Sequence, residues 1–285
     1  MKNFIIPIDF SKDSLKGLDI AVIFSKIQHV NVQMVYVYER KDNDNSLKQQ
    51  DEIRWAEENF ERIIEEYRYK FSEGSKLRYI IKSGKICREV VSQAHSYKDS
   101  FISASTHGAS GFEEFFIGSN AFKIITSANC PVITNRMGTV PEKITKIVAP
   151  LVASRHSRQK IPFTTELAKL LNAEVYIIGV GFEKEKRATR KLKVYASQAE
   201  KYMQSHGVKC QHEIVFGKHL ANRTIEYANE VGAELIAITS ERSGGFNLVV
   251  GSWGHQIINK YDKLVVNFPP RRLFIKGTFV TTGGM

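Results

Sequence analysis

Apolar residues recur along this chain with two different periods. Short runs that read as buried strands cover Phe4 to Ile8, Val32 to Tyr38, Leu77 to Ile81, Ser100 to Ala104 and Val132-Ile133-Thr134. Between them, apolar side chains return every three or four residues. Ser11 and Asp13 open the first such helix, which Leu15, Leu18, Ala21, Val22 and Phe24 carry forward. A polar stretch from Asp42 to Asp51 reads as mobile. After it, a long amphipathic helix is predicted from about Glu52 to Phe71, with Trp55, Phe60, Ile63, Ile64 and Tyr67 as its core positions. Lys85 to His95 reads as a third helix, and Ala121, Phe122 and Ile125 mark a fourth. Strands separated by helices in this way predict an α/β fold whose parallel sheet is doubly wound, with helices on both faces.

The second half repeats the first. Pro7 aligns with Pro150 and Ser11 with Ser154 at an offset of 143, while Gly84-Lys85 aligns with Gly217-Lys218 and Gly118-Ser119 with Gly251-Ser252 at an offset of 133. The lost ten residues fall in the region of the polar Asp42–Asp51 insertion, so the register is consistent. The expected organisation is therefore two tandem five-stranded domains, residues 1–138 and 143–267, divided near Gly138–Glu142 where Gly, Pro and charge cluster. Residues 268–285 have no counterpart. Pro269 and Pro270 break the preceding strand, and the apolar pieces after Arg272 could form a small hairpin over a sheet edge or stay disordered.

Between the fourth strand and the fourth helix lies Ser105-Thr106-His107-Gly108, then nine residues, then Gly118-Ser119-Asn120. A strand that runs through a loop into a helix presents unpaired backbone N–H groups at the helix start, and such a terminus attracts anions. Ser119 is the expected N-cap. Gly108, where the strand ends, leaves room for a phosphate to approach. Glycine and serine ahead of a helix are equally consistent with a plain turn.

The segment Thr106-His107-Gly108, nine residues, Gly118-Ser119, followed by Cys130-Pro131-Val132-Ile133, resembles the nucleotide loop and last strand of the universal stress protein family. The start of the chain, Phe4-Ile5-Ile6-Pro7-Ile8-Asp9-Phe10-Ser11, is similar to the family's first strand and its aspartate. Ser105 stands where the family carries its first glycine. The resemblance implies ATP as ligand, with or without Mg2+. Pro7, Asp9 and Val37 would lie along adenine and ribose, and Ser105, His107, Gly108, Gly118, Ser119 and Asn120 around the phosphates. It also implies that the two domains pair through their last strands, here Val132-Ile133-Thr134 and Leu264-Val265-Val266, with a homodimer as a further option. The chemistry agrees: a carboxylate accepts from a ribose hydroxyl, while N–H groups and a serine hydroxyl donate to phosphate oxygens. Asp9 equally fits a turn or helix-capping role. His107 lacks an orienting carboxylate at fixed spacing, so it reads as a loop or phosphate-contact residue before a catalytic one. Phe112, Phe115 and Phe116 read as packing.

The copies differ chemically. Asp9 corresponds to Val152 and Gly108 to Glu241, so the second half keeps the fold and loses features of the site. Other nucleotide chemistries are set aside. There is no Gly-x-x-x-x-Gly-Lys-Ser/Thr loop, no Gly-x-Gly-x-x-Gly after the first strand and no Gly-x-Ser-x-Gly elbow. A binding module with a single site, its nucleotide a regulatory ligand, is expected before a turnover enzyme; no residue argues for hydrolysis.

Composition adds one further expectation. The chain has 285 residues, 42% hydrophobic and 25% charged, as in ordinary globular domains. Asp9 and Lys12 interrupt any signal-peptide core and no apolar run is long enough for a bilayer, which predicts a cytoplasmic protein with no membrane role. Cys87, Cys130 and Cys210 are odd in number and widely spaced, which argues against disulfides and zinc. Residues 1–142 hold 19 Lys+Arg against 19 Asp+Glu, whereas residues 143–285 hold 22 against 11, so the net charge of +11 lies entirely in the second half. Much of it falls between Glu183 and Lys193. Such a face is either simply solvated or attracts a polyanion. The alternative function is thus a scaffold that binds no nucleotide and holds an acidic protein or nucleic acid.

Overall fold

The computed structural model describes residues 2–39, 46–106, 118–136, 138–154, 156–182, 186–242, 248–249 and 252–269. The first half runs β1 (Asn3–Pro7), α1 (Lys12–Ser25), β2 (Asn31–Tyr38), α2 (Ser46–Tyr67), β3 (Lys76–Ser83), α3 (Ile86–His95), β4 (Ser100–Ser105), α4 (Ser119–Ser127) and β5 (Val132–Asn135). The second runs β6 (Lys146–Leu151), a 3₁₀ turn (His156–Arg158), α5 (Ile161–Leu171), β7 (Glu174–Gly181), α6 (Lys186–Ser205), β8 (Cys210–Phe216), α7 (Leu220–Glu230), β9 (Leu235–Thr239), β10 (Glu241–Arg242), β11 (Leu248–Val249), α8 (Ser252–Lys260) and β12 (Leu264–Phe268).

Ten of these strands form one sheet in the order β3-β2-β1-β4-β5-β12-β9-β6-β7-β8. Within each half of this sheet the pairings are parallel, and the halves meet where β5 and β12 pair antiparallel, with Val266 opposite Ile133 and Val265 opposite Thr134. Thr134 Oγ1 donates to the Val265 carbonyl at 3.2 Å across this seam. Two tandem doubly wound halves therefore share a continuous sheet. Alternation along the strands sends Phe4, Ile6 and Ile147 to one face, under α1, α2, α5 and α6, and Ile5, Ile102 and Val148 to the other, under α3, α4, α7 and α8. Burying both faces explains why the strands read as near-continuous apolar runs.

Several local expectations need correction. The long helix starts at Ser46 and ends at Tyr67, earlier at both ends than its apolar period indicates. Gln49 donates to Tyr38 Oη at 2.6 Å and Tyr36 donates to Glu52 at 2.9 Å, so side-chain bonds to β2 hold a first turn that has no apolar stripe of its own. Trp55 remains 48% exposed and packs edge-on against Phe10, while Phe60, Ile63 and Tyr67 are buried as expected. β12 continues through Phe268, whose ring stacks on Phe163 at 5.2 Å, one residue past the expected domain end. The suggested C-terminal hairpin lies outside the described residues.

Candidate functional site

In the first half the strand order reverses on either side of β1, which pairs with β2 on one flank and β4 on the other. Such a switch point opens a crevice at the carboxyl ends of the strands. A cavity of about 340 Å3 lies there, lined by Pro7, Asp9, Val37, Ser105, Gly118, Ser119 and Asn120 together with Ile8, Ser14, Val35, Tyr36, Ile86, Ala104, Thr106, Ala121 and Ile124. Of the residues singled out in the sequence, His107 and Gly108 lie outside the described residues, as do Phe112, Phe115 and Phe116. All the others converge.

One wall is the turn from β1 into α1. Asp9 Oδ1 accepts from the Ser11 N–H at 3.0 Å and from Ser11 Oγ at 2.6 Å. Ser11 Oγ in turn accepts from the Ser14 N–H at 3.2 Å, which caps the helix, and Ser14 Oγ donates to the Ser11 carbonyl at 2.9 Å. Asp9 thus fills the turn role while its carboxylate borders the crevice. Phe10 follows in the left-handed region, φ 63°, a conformation that costs a non-glycine residue about 1–3 kcal/mol. Its ring meets Tyr36, Trp55 and Phe60 with centroids 5.1, 4.9 and 4.9 Å away, contacts that hold the turn in place. Tyr36 also borders the cavity. Burial, then its bond to Glu52 and the charges of Glu52 and Asp9, push its phenol up to about 12, so it stays a neutral donor.

The opposite wall is the end of β4 and the start of α4. Ser105 closes β4 in register with Asn135, and among described residues the non-glycine positions with positive φ are Phe10 and Asn172. The backbone at Ser105 is therefore one that serine adopts without strain. The helix start differs from expectation. Gly118, not Ser119, is the N-cap, and its N–H donates to the Thr106 carbonyl at 2.8 Å, so that N–H is committed to the loop. Phe122 N–H makes the first return bond of the helix, to the Gly118 carbonyl at 3.0 Å. Ser119, Asn120 and Ala121 occupy the first turn, whose N–H groups have no intrahelical acceptor. The Ser119 and Asn120 side chains are exposed and have no hydrogen-bond partner among the described residues. Gly118 contributes space as well: a Cβ there would stand 3.2 Å from the Thr106 carbonyl oxygen.

Ser14, Tyr36 and Thr106 went unnoticed in the sequence as site residues. Ser14 was legible in principle, because one helical turn after the capping Ser11 returns a side chain to the same end of the helix.

The equivalent region of the second half is built differently. Ser157 Oγ donates to the Ser154 carbonyl at 2.8 Å, repeating the Ser14–Ser11 bond, but it lies in a 3₁₀ turn and the helix proper starts only at Ile161. Val152 supplies no carboxylate, and beyond β9 the chain forms the short antiparallel pair β10–β11. Gly244, Gly245 and Gly251 lie outside the described residues.

The model of the universal stress protein family matches residues 1–136. Residues 1–136 are therefore a domain of the universal stress protein family. A universal stress protein from Archaeoglobus fulgidus DSM 4304 has a similar structure over nearly the whole molecule, with a TM-score of 0.75, 19% identity, and 94% of this chain and 98% of that one covered. A Pseudomonas aeruginosa UCBPP-PA14 protein assigned to the family aligns with a TM-score of 0.66, 15% identity and coverage of 95% and 94%. A functionally unknown protein from Pseudomonas aeruginosa PAO1 gives 0.64, 15%, and 95% and 93%. At these identities the likeness is one of fold. No curated protein matches the sequence. Among the described residues no helix is long and apolar enough to cross a membrane.

Proposed function

We propose that this universal stress protein binds an adenine nucleotide, ATP with or without Mg2+, at one site in its first half, and uses its second half as a built-in pairing partner. The carrying observation is the convergence of Asp9, the half-buried Ser105 and the first turn of α4 on one crevice of about 340 Å3, within the range of small-ligand sites. Val35 and Val37 give an apolar wall for a base, and Asp9 an acceptor for ribose. The Ser119–Ala121 N–H groups and the Ser119 hydroxyl donate to phosphate oxygens at the positive end of the helix. The nucleotide acts as a ligand that favours one conformation over another.

Calorimetry with ATP, with and without magnesium, on the full chain and on Gly118→Asp tests this reading. Aspartate is a favoured N-cap and φ −54° at this position suits it. Its Cβ would stand 3.2 Å from the Thr106 carbonyl oxygen, so unchanged far-UV circular dichroism and thermal midpoint are the control that the helix start is kept. A carboxylate roughly 5 Å from a phosphate at an effective dielectric of about 20 costs about 3 kcal/mol, or more than 100-fold in affinity. One equivalent bound by the natural chain and lost in Gly118→Asp supports the proposal. Absence of binding to the natural chain, or equal binding by both, overturns it.

A further inference from the structure

The outer helices of one sheet face are repeat counterparts with opposite charge. The C-terminal half of α2 exposes Glu57, Glu58, Glu61, Glu65 and Glu66 against the single Arg62. The N-terminal half of α6 exposes Lys186, Arg187, Arg190, Lys191 and Lys193, with no carboxylate before Glu200. None of these five cations has an ion-pair partner among the described residues, nor do Glu57, Glu58 and Glu65. Each cluster also sits at the end of its helix where the macrodipole makes that charge unfavourable, acids near the C-terminus of α2 and bases near the N-terminus of α6. Among the described residues, folding of one chain compensates neither.

Topology fixes where the clusters lie. α2 runs antiparallel to β2 and β3, so its acidic end is at the rim where the first five strands begin. α6 runs antiparallel to β7 and β8, so its basic end is at the rim where the second five strands finish. Because β5 and β12 pair antiparallel, these are one rim, and both helices pack on the same face. Within a molecule they lie over opposite ends of a ten-stranded sheet whose edge strands, β3 and β8, are about 43 Å apart at roughly 4.8 Å per strand. They can meet only between molecules.

We infer that a second copy of this chain docks head to tail, the acidic end of its α2 against the basic end of α6, with its β3 edge beside β8. Two-fold pairing through either sheet edge would set α2 beside α2 or α6 beside α6, and so never bring the acidic cluster onto the basic one. The heterologous contact is the complementary one, and it repeats into an open row of copies. Ala153, Lys186, Arg187, Ala188 and Lys191 line a depression of about 470 Å3 that receives the carboxylates.

Sedimentation equilibrium of the nuclease-treated full chain tests the inference. At low salt the mass should exceed 32.4 kDa and climb with concentration. It should return to the monomer in about 1 M salt, where the screening length is about 3 Å. Reversing three charges on α6 (Arg187→Glu, Arg190→Glu, Lys191→Glu) or on α2 (Glu57→Lys, Glu58→Lys, Glu65→Lys) should each abolish association with far-UV circular dichroism unchanged. Both sets in one chain leave the net charge at +11 and restore complementarity with swapped polarity, so association should return. A monomer at low salt, association that survives either reversal, or a folded double-set chain that stays monomeric overturns it. So does association that appears only when duplex nucleic acid is added, which would make the α6 face a polyanion surface.

Discussion

Replacing Gly17 by alanine tests whether α1 is seated on the sheet as closely as the structure shows. A Cβ at this position would lie 2.6 Å from Ile6 Cγ2 and 2.9 Å from the Ser103 carbonyl oxygen. Ser103 Oγ donates to the Gly17 carbonyl at 3.1 Å, so helix and β4 are tied at this point and cannot separate without losing a buried bond. Ordinary contact between carbon atoms needs about 3.5–4.0 Å, a shortfall of about 1 Å. Overpacking on that scale costs about 1–3 kcal/mol, and the better helix propensity of alanine returns up to about 1 kcal/mol. The net expectation is a loss of about 1–2 kcal/mol, read as a fall of roughly 2–8 °C in thermal midpoint for a chain of this size. Urea unfolding of a double-mutant cycle locates the cause. Ile6→Ala alone should cost about 2–5 kcal/mol, and about 1 kcal/mol less in the Gly17→Ala background, where it relieves the clash. Unchanged or raised stability in Gly17→Ala, or strict additivity in the cycle, would refute the reasoning.

Other expectations are smaller. Ser11→Ala removes the cap of α1 and one donor to Asp9, and should lower stability by about 1 kcal/mol in the same assay; no loss would mean the cap is idle. Burial pushes the Cys130 thiol up, and burial together with Glu200 pushes Cys210 up to about 11. With about 100-fold less thiolate than an ordinary cysteine at pH 8, Cys210 should react with a disulfide reagent far more slowly in the folded than in the unfolded chain. Equal rates would contradict that. Burial, with Glu52 and Glu213 respectively, pushes Tyr36 and Tyr227 up to about 12, while unfolded tyrosine titrates near 10. The folded chain holds these protons more tightly, so their contribution is intact below pH 10 and is lost as pH rises to about 12. Urea midpoints that stay level through that window would count against it.

The two-half architecture was legible because burial on both sheet faces leaves long apolar runs, and because the offsets Pro7/Pro150 and Gly118/Gly251 persist through one insertion. That the halves join through their last strands was carried only by the family resemblance, and the antiparallel direction of that pairing emerges only from the structure, since nothing in Val132-Ile133-Thr134 by itself specifies its neighbour. Helix ends were misplaced where polar side chains decide them. The bonds from Gln49 and Glu52 to β2 have no periodic signature, and the cap at Gly118 depends on the Thr106 carbonyl, a contact between chain segments. The crevice residues with distinctive chemistry, Asp9 and Ser119, stood out in the sequence. Tyr36 and Thr106 did not, because a tyrosine and a threonine in or beside a strand look like packing until the sheet is assembled. The opposed charge of α2 and α6 was half visible, as an excess in the second half, but its shared face and rim emerge only from the topology.

The central claim is that the first turn of α4 receives the phosphates. Amide hydrogen exchange of the full chain with saturating ATP reads that turn directly. Slower exchange at Ser119, Asn120 and Ala121, with the start of α8 unchanged, is the predicted result. Exchange at those amides that ATP leaves unaltered, or protection that appears at the start of α8 instead, would contradict the account.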